Sequence, residues 1–282
     1  MTHIKENGMK LLFFLTACVS IAVVILICIF LFVSGVPAIR EIGVFRFLLG
    51  TKWKPSNDLY GIFPMIIGSF YVTAGALIIG VPVGILTAVF MAHFCPKKIY
   101  HFMKSAVGLM AGIPSVVYGF FGLVVLVPLI RKFFGGRGMS VLAASVLLGL
   151  MILPTIISVS EAAIRAVPAG YYEGGLALGA SHERSVFFTV LPAAKSGIFA
   201  GVVLGIGRAV GETMAVMMVA GNQAVIPDSL LLGVRTLTAN IVLEMGYSVD
   251  LHREALIATA VVLFVFILMI NLSLSLFKRR AK

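Results

Sequence analysis

Two charged residues interrupt an otherwise apolar stretch of the sequence, and their types suit recognition of an anion. Arg208 and Glu212 are the only charged residues in segment 197–220. A guanidinium is always charged and can donate two parallel hydrogen bonds to an oxyanion. On one continuous helix, residues four apart share a face and can pair. Two readings follow: the charges neutralise each other and fix the helix to a neighbour, or Arg208 attracts an anionic substrate that Glu212 orients.

Other common chemistries are not visible in the sequence. It contains no GxxxxGK[ST] phosphate-binding loop, so ATP hydrolysis by that route is excluded. None of the three cysteines belongs to a CxxC pair, and no histidine pair has metal-ligand spacing. The glycines at 205–211 have the spacing GxGxxxG, which does not match a dinucleotide fingerprint. We expect no catalytic residue, cofactor or metal, and we expect Gly201, Gly205 and Gly207 to be points of close helix approach.

The composition is that of a membrane protein. Of the 282 residues, 60% are hydrophobic and only 12% are charged, and the mean hydropathy is +1.11. Soluble domains are about 45–50% apolar and about 25% charged. The net charge of +11 would raise nucleic acid as a partner, but the basic residues form short clusters between apolar runs, which is typical of membrane topology signals. The sequence therefore predicts an all-α integral membrane protein in a lipid bilayer.

Six apolar segments are long enough to cross a bilayer, which requires about 20 residues. They are 11–33, 62–92, 105–130, 139–159, 197–220 and 255–277. The first is too long for the apolar region of a signal peptide, so we expect it to be retained. Prolines inside or near the ends of these spans predict some short or broken helices.

An even number of spans places both termini on the same side of the membrane. The termini and the loops on their side carry 12 basic residues, and the loops on the other side carry 9. Because basic residues favour the cytoplasmic side, both termini are expected in the cytoplasm. We divide the chain into an N-terminal helix with an outer loop at 1–60, a transmembrane domain at 61–277 and a basic tail at 278–282.

The loop between the fourth and fifth spans, at 160–196, predicts two short helices joined by a glycine. Pro168 is a typical start signal for the first helix, and Gly179 is a typical C-terminal residue for it. A second helical segment is expected over 182–190, ended by Pro192. Such a helix–Gly–helix unit beside the membrane can serve as a docking piece for a soluble partner.

This loop resembles the cytoplasmic signature of ABC importer permeases, the binding-protein-dependent transport permease family. The signature reads Glu-Ala-Ala, three residues, Gly, nine residues, Ile, one residue, Leu-Pro. At matching spacing this chain has Glu173, Gly179, Leu191 and Pro192, with Gly174 and Gly175 in place of the alanines and Thr189 in place of the isoleucine. The resemblance implies that these residues and Tyr172 form a coupling loop that fits a cleft on an ATPase subunit in the cytoplasm.

Three further stretches are similar to phosphate permeases of the PstC type. They are Trp53-Lys54-Pro55 with 60–69 at the entry to the second span, 112–119 in the third span and 207–215 in the fifth. In the fifth span Met214-Ala215 stands where the companion PstA type usually has Ala-Pro. The resemblance extends from about residue 40 to the C-terminus.

The resemblance implies a type I importer permease fold (MetI-like) with six transmembrane helices, in the cytoplasmic membrane of a prokaryote. It implies as partners a homologous PstA-type permease, a PstB-type ATPase dimer, a PstS-type phosphate-binding protein outside the membrane, and inorganic phosphate. Import of another oxyanion, such as sulfate or molybdate, is an alternative because it would suit Arg208 equally. An ion-coupled secondary transporter is a further alternative, which the spacing in the coupling loop disfavours.

Overall fold

Helices make up almost the whole protein. The structure is a computed structural model that describes the backbone of residues 2–280 and the side chains of residue 6 and residues 8–273. The first half contains α1 (Thr2–Ile42), α2 (Val44–Leu49), β1 (Trp53–Lys54), β2 (Leu59–Tyr60), α3 (Phe63–Val89), α4 (Lys97–Gly112), α5 (Ser115–Phe121) and α6 (Val127–Phe134). The second half contains α7 (Val141–Arg165), α8 (Ala169–Ala177), α9 (His182–Ser185), α10 (Leu191–Ala193), α11 (Lys195–Gly211), α12 (Met214–Val219), α13 (Leu237–Met245) and α14 (Asp250–Arg280).

Within residues 2–280, five helical runs are long and apolar enough to cross a membrane. They are Gly8–Ile42, Phe63–Phe94, Ser115–Phe134, Val141–Arg165 and Asp250–Ser273. A sixth span arises if His182–Ala193 and Lys195–Gly211, which are bent by 69° relative to each other, are counted as one. The predicted all-α membrane architecture is therefore confirmed, although two of the spans are broken.

The third predicted span, 105–130, is wrong at its start because the chain breaks at Pro114. Helix α4 ends at Gly112, and Ile113 is extended, with φ −70° and ψ 126°. The residue before a proline is disfavoured in the α region, because the proline ring clashes with its backbone. The membrane-spanning run therefore begins at Ser115 and continues through a π-helical turn into α6, while α4 is a separate helix.

The fifth predicted span, 197–220, is two helices rather than one. Helix α11 ends at Gly211, and Glu212 is extended, with φ −69° and ψ 129°. The Glu212 carboxylate accepts a hydrogen bond from the backbone N–H of Ala215 at 3.2 Å, in the first turn of α12. A side chain that satisfies a free backbone donor favours the start of a new helix there. The single helix on which Arg208 and Glu212 would share a face is therefore absent.

Helices α3 and α7 form the central pair of the bundle, and α11 packs against α7. A Cβ on Gly205 would lie 3.0 Å from Ile156 Cγ1, and a Cβ on Gly201 would lie 3.1 Å from Ser160 Oγ. The prediction of close approach is confirmed at these two glycines. It is wrong at Gly207, which is exposed and whose Cβ would meet no described atom within 4 Å.

The two ends of α7 define the two ends of the bundle. Its 25 residues place them about 37 Å apart, at 1.5 Å per residue. The end that leads into α8 is called the α8 end. At the opposite end the N–H of Val141 donates to the carbonyl of Leu232, in the loop before α13. The hairpin in which Trp53 pairs with Tyr60 also lies there, beside α13, and this is called the hairpin end.

Candidate functional site

The residues at 169–193 have the predicted helix–Gly–helix geometry and are called the coupling unit. Helix α8 is followed by Gly179 in the left-handed region, with φ +81°. The N–H of Gly179 donates to the carbonyl of Leu176 at 2.9 Å, and the N–H of Ala180 donates to that of Gly175 at 3.1 Å. These two bonds form a Schellman motif, which favours glycine because it has no Cβ. The predicted helix and its terminating glycine are confirmed.

Side-chain contacts hold α8 and α9 together. The Tyr172 hydroxyl and His182 Nδ1 lie 2.8 Å apart. A Cβ on Gly175 would lie only 2.6 Å from Ser185 Oγ, so the glycine found where the family signature has alanine lets the two helices approach. Leu191 packs on the apolar cluster at the base of the unit, against the ends of α3 and α7. The coupling unit is therefore braced against the transmembrane bundle.

Several side chains of the coupling unit are exposed to solvent. Glu173 and Gly174 are exposed, Leu178 is 91% exposed, and Phe188 is 77% exposed. Leu178 and Phe188 therefore leave apolar surface uncovered on this unit. Among the predicted coupling residues, Glu173 and Gly174 are therefore exposed on α8, whereas Tyr172 and Leu191 pack against neighbouring side chains.

The predicted end of the second segment at Pro192 is wrong. Val186–Val190 forms a π-helical turn, and α10 continues through Pro192 to Ala193. Pro192 lies in the first turn of α10, where a helix does not need its backbone N–H. The 69° bend falls at Ala194, between the end of α10 and the start of α11 at Lys195.

Arg208 is a half-buried charge within α11. It forms no ion pair with any residue whose side chain the structure describes. Ala209, the next residue in α11, belongs to the same buried apolar cluster as Tyr118 in α5. The Tyr118 hydroxyl donates to the carbonyl of Met110 at 2.9 Å and so bridges the break at Pro114. Arg208 therefore adjoins the apolar cluster that contains Tyr118, and it lies four residues before the break at Glu212.

Glu212 lies at the second break, between α11 and α12. Its carboxylate caps α12, and its backbone carbonyl accepts a hydrogen bond from the Thr238 hydroxyl at 3.1 Å. Because Arg208 and Glu212 are not paired, the reading in which they neutralise each other is wrong. Helix α12 packs against α5, so the two breaks lie close together. Discontinuous membrane helices of this kind form substrate sites in transporters.

Sequence reasoning missed a buried carboxylate at the α8 end. Glu161 in α7 is 1% exposed and accepts hydrogen bonds from Tyr100, Lys104 and Arg165. Only Arg165, four residues further along the same helix, could have been recognised from spacing. Tyr100 and Lys104 lie 61 and 57 residues away in the sequence, so no local pattern reveals them.

A second buried carboxylate, at the hairpin end, was also missed. Glu244 accepts hydrogen bonds from Trp53 Nε1 at 2.8 Å and from Arg235 Nη1 at 2.6 Å. His252 Nε2 lies 2.9 Å from the same carboxylate. Arg235 also donates to the carbonyl of Asn222, which follows α12. This cluster connects the hairpin, the loop after α12, α13 and α14.

Comparison with known proteins agrees with this architecture. Residues 80–282 match the family described as binding-protein-dependent transport system inner membrane component. The probable ABC transporter permease protein YqgH of Bacillus subtilis is 41% identical over 269 residues, covering 91% of this chain and 87% of that protein. The phosphate transport system permease protein PstC of Mesorhizobium japonicum is 34% identical over 279 residues, covering 90% and 85%.

The fold also matches a solved transporter. A chain of the MetNI methionine ABC transporter, in an inward-facing conformation, superimposes with a TM-score of 0.60 at 22% identity, covering 82% of this chain and 100% of that chain. This likeness bears on the fold alone. The chain belongs to the family of binding-protein-dependent transport system inner membrane components, is similar within it to permeases of the PstC type, and has the MetI-like fold of ABC importer permeases.

Proposed function

We propose that this chain is a permease subunit of an ATP-driven phosphate importer and forms half of its translocation pathway. ATP hydrolysis takes place on a separate ATPase of the PstB type, present as a dimer. The observation that carries this proposal is the coupling unit, a braced helix–Gly–helix piece with Glu173 and Leu178 exposed at one end of the bundle. The residues assigned to the ATPase contact are Tyr172, Glu173, Gly174, Gly175, Gly179, Leu191 and Pro192.

Phosphate is assigned as the substrate on two grounds. The PstC relatives, which this chain matches over most of its length, are named as phosphate transport permeases. Arg208 has no ion pair among the side chains that the structure describes and lies in α11, four residues before the break at Glu212. A guanidinium donates two parallel hydrogen bonds to phosphate oxygens. Glu212 is assigned to the same pathway, where its carboxylate orients the anion while capping α12.

The remaining partners follow from the same proposal. A PstA-type permease completes the pathway, and a PstS-type binding protein delivers phosphate from outside. The complex lies in the cytoplasmic membrane of a prokaryote with both termini inside, which the bias of basic residues supports. Residues 61–277 form the transmembrane domain and 1–60 the preceding helix and loop. The basic tail at 278–282 lies outside the residues whose side chains the structure describes.

Transport then proceeds by alternating access. ATP binding draws the two ATPases together and displaces the coupling units docked on them. Because the coupling unit packs on the ends of α3 and α7, its displacement tilts the central pair of helices. Rigid-body motion of helix bundles of this kind exposes a substrate site first to one side and then to the other. Phosphate leaves the binding protein and passes the Arg208 region.

Uptake of radiolabelled phosphate in phosphate-starved cells tests the substrate assignment. We expect deletion of the gene to abolish high-affinity uptake that excess sulfate does not inhibit, and a plasmid copy to restore it. Unchanged phosphate uptake, in a strain with no second copy of the system, would contradict the assignment. Inhibition of this uptake by excess sulfate or molybdate would instead indicate an importer of the same architecture for another oxyanion.

A further inference from the structure

A buried ionic cluster joins three helices at the α8 end. The Glu161 side chain is 1% exposed, and its Oε1 accepts hydrogen bonds from the Tyr100 hydroxyl at 2.7 Å and from Arg165 Nε at 2.8 Å. Its Oε2 accepts a hydrogen bond from Lys104 Nζ at 2.6 Å. Tyr100 and Lys104 belong to α4, whereas Glu161 and Arg165 belong to α7. The carboxylate therefore holds α4 against the end of α7.

Arg165 extends the cluster to a third helix. Its Nη2 donates to the carbonyl of Met91 at 2.7 Å. Met91 lies in the π-helical turn that ends α3, where carbonyls lack partners within the helix. The guanidinium also stacks over the Tyr100 ring at 4.5 Å from its centroid, a cation–π contact. One side chain thus contacts α3, α4 and α7.

The chain connectivity places this cluster between the coupling unit and the pathway. Arg165 is the last residue of α7, and α8 begins at Ala169, four residues later. In the other direction, α4 runs from the cluster to the break at Pro114, which the Tyr118 hydroxyl bridges. A displacement passed from the coupling unit to the cluster would therefore act on α4, which ends at this break.

Separation of Glu161 from its partners is unfavourable because its carboxylate is buried. Exposed ion pairs are weak, but a buried carboxylate that loses a partner leaves an uncompensated charge in the protein interior. Glu161 is fully buried, while the side chains of Lys104 and Arg165 are 49% and 45% exposed. Solvent can replace the partners of these two cations but not those of Glu161. The contacts to Glu161 are therefore kept while the coupling unit moves.

We propose that Glu161 and Arg165 are positioning residues that transmit the displacement of the coupling unit to α4, and through α4 to the break at Pro114. This inference rests on the proposed function, because it assumes that an ATPase drives the coupling unit. It assigns to Lys104 and Tyr100 the role of fastening α4 to α7 through the Glu161 carboxylate.

The test compares two lysines on the same helix in the purified, reconstituted complex. Lys104→Gln removes a partner of Glu161, whereas Lys98→Gln removes an exposed lysine of the same helix. We expect Lys104→Gln to raise the ATP hydrolysed per phosphate transported by about fivefold or more, the lower range of coupling between sites. Lys98→Gln should leave this ratio unchanged. A merely structural role would instead lower ATP hydrolysis and transport in proportion, and that result would overturn the inference.

A double variant tests whether the contact between Glu161 and Lys104 accounts for the change in the ratio of ATP hydrolysed to phosphate transported. Glu161→Gln and Lys104→Gln combined should change the ratio no more than Glu161→Gln alone, because both act through one interaction. Arg165→Lys keeps the charge but cannot donate to both Glu161 and the Met91 carbonyl in the same fork geometry, so it should also uncouple. Additive effects of the two single variants would contradict the proposal.

A structural readout separates this inference from the proposed function. Spin labels at Phe102 on α4 and Ala177 on α8, both exposed and neither assigned to the ATPase contact, report the distance between the two helices in the purified protein in lipid. We expect one narrow distance distribution in the unaltered protein and in Lys98→Gln, and a clearly broader one in Lys104→Gln. An unchanged distribution in Lys104→Gln would refute the inference. The absence of ATP-driven phosphate uptake by the unaltered complex would refute the proposed function.

Discussion

Replacement of Arg208 by alanine is expected to abolish phosphate transport while leaving the complex assembled. Arg208 is half-buried in α11, four residues before the break at Glu212, and has no ion pair among the described side chains. Hydrogen bonds to charged groups each contribute about 1.5–3 kcal/mol. Loss of two such bonds should lower uptake at limiting phosphate by at least about 100-fold, since 1.4 kcal/mol corresponds to a factor of ten.

Two further variants separate the effect of the guanidinium group from the effect of positive charge and from nonspecific loss of an arginine. Arg208→Lys keeps a point charge but loses the planar fork, so we expect a smaller loss, of about tenfold. Arg253→Ala removes an exposed arginine near the start of α14, and uptake should stay at the unaltered rate. The measurement is initial uptake of radiolabelled phosphate, with the amount of complex in the membrane quantified in each strain. Normal phosphate uptake by Arg208→Ala would show that Arg208 does not contribute to the translocation pathway.

Gly179→Asp is expected to separate ATP hydrolysis from transport. Gly179 has φ +81°, and a Cβ in the left-handed region costs up to about 1–2 kcal/mol, although less for aspartate and asparagine than for other residues. The new carboxylate would also lie at the C-terminus of α8, where the helix dipole disfavours negative charge. Both effects disrupt the turn between α8 and α9. We expect transport to fall by about tenfold or more while the protein still inserts into the membrane and the ATPase still hydrolyses ATP.

The controls for Gly179→Asp lie in the same unit. Gly179→Asn should be milder, because asparagine tolerates the left-handed conformation and carries no charge. Gly170→Ala, also in α8, places a Cβ where no described atom lies within 4 Å, and Gly170 is not among the residues assigned to the ATPase contact, so we expect no loss. The ratio of ATP hydrolysed to phosphate transported, measured on purified complexes, distinguishes the variants. Tightly coupled transport by Gly179→Asp would refute the role given to the coupling unit.

The features that the sequence predicted correctly depend on local physical chemistry. The Schellman turn at Gly179 uses only bonds within six residues, so one glycine after a short helical segment predicts it. The membrane spans depend on average hydropathy over about 20 residues, which composition alone determines. The spacing of Glu173, Gly179 and Leu191-Pro192 is likewise a property of one continuous stretch.

The features that the sequence did not reveal depend on competition between side chains and backbone, or on distant partners. Hydropathy does not predict the break at Glu212, because the break arises where a carboxylate caps α12 within an apolar run. The partners of Glu161 and Glu244 come from up to 191 residues away. Gly207, in turn, is part of the same glycine-rich stretch as Gly205 but lies on the exposed face of α11. Each of these outcomes requires the tertiary arrangement.

Phosphate accumulation in vesicles tests the proposed function as a whole, when the vesicles contain the purified complex of this chain with the proposed PstA-type, PstB-type and PstS-type proteins. We expect accumulation of radiolabelled phosphate that requires both ATP and the binding protein and that excess sulfate does not reduce. Accumulation without ATP, or no accumulation of phosphate by a complex that hydrolyses ATP, would contradict it.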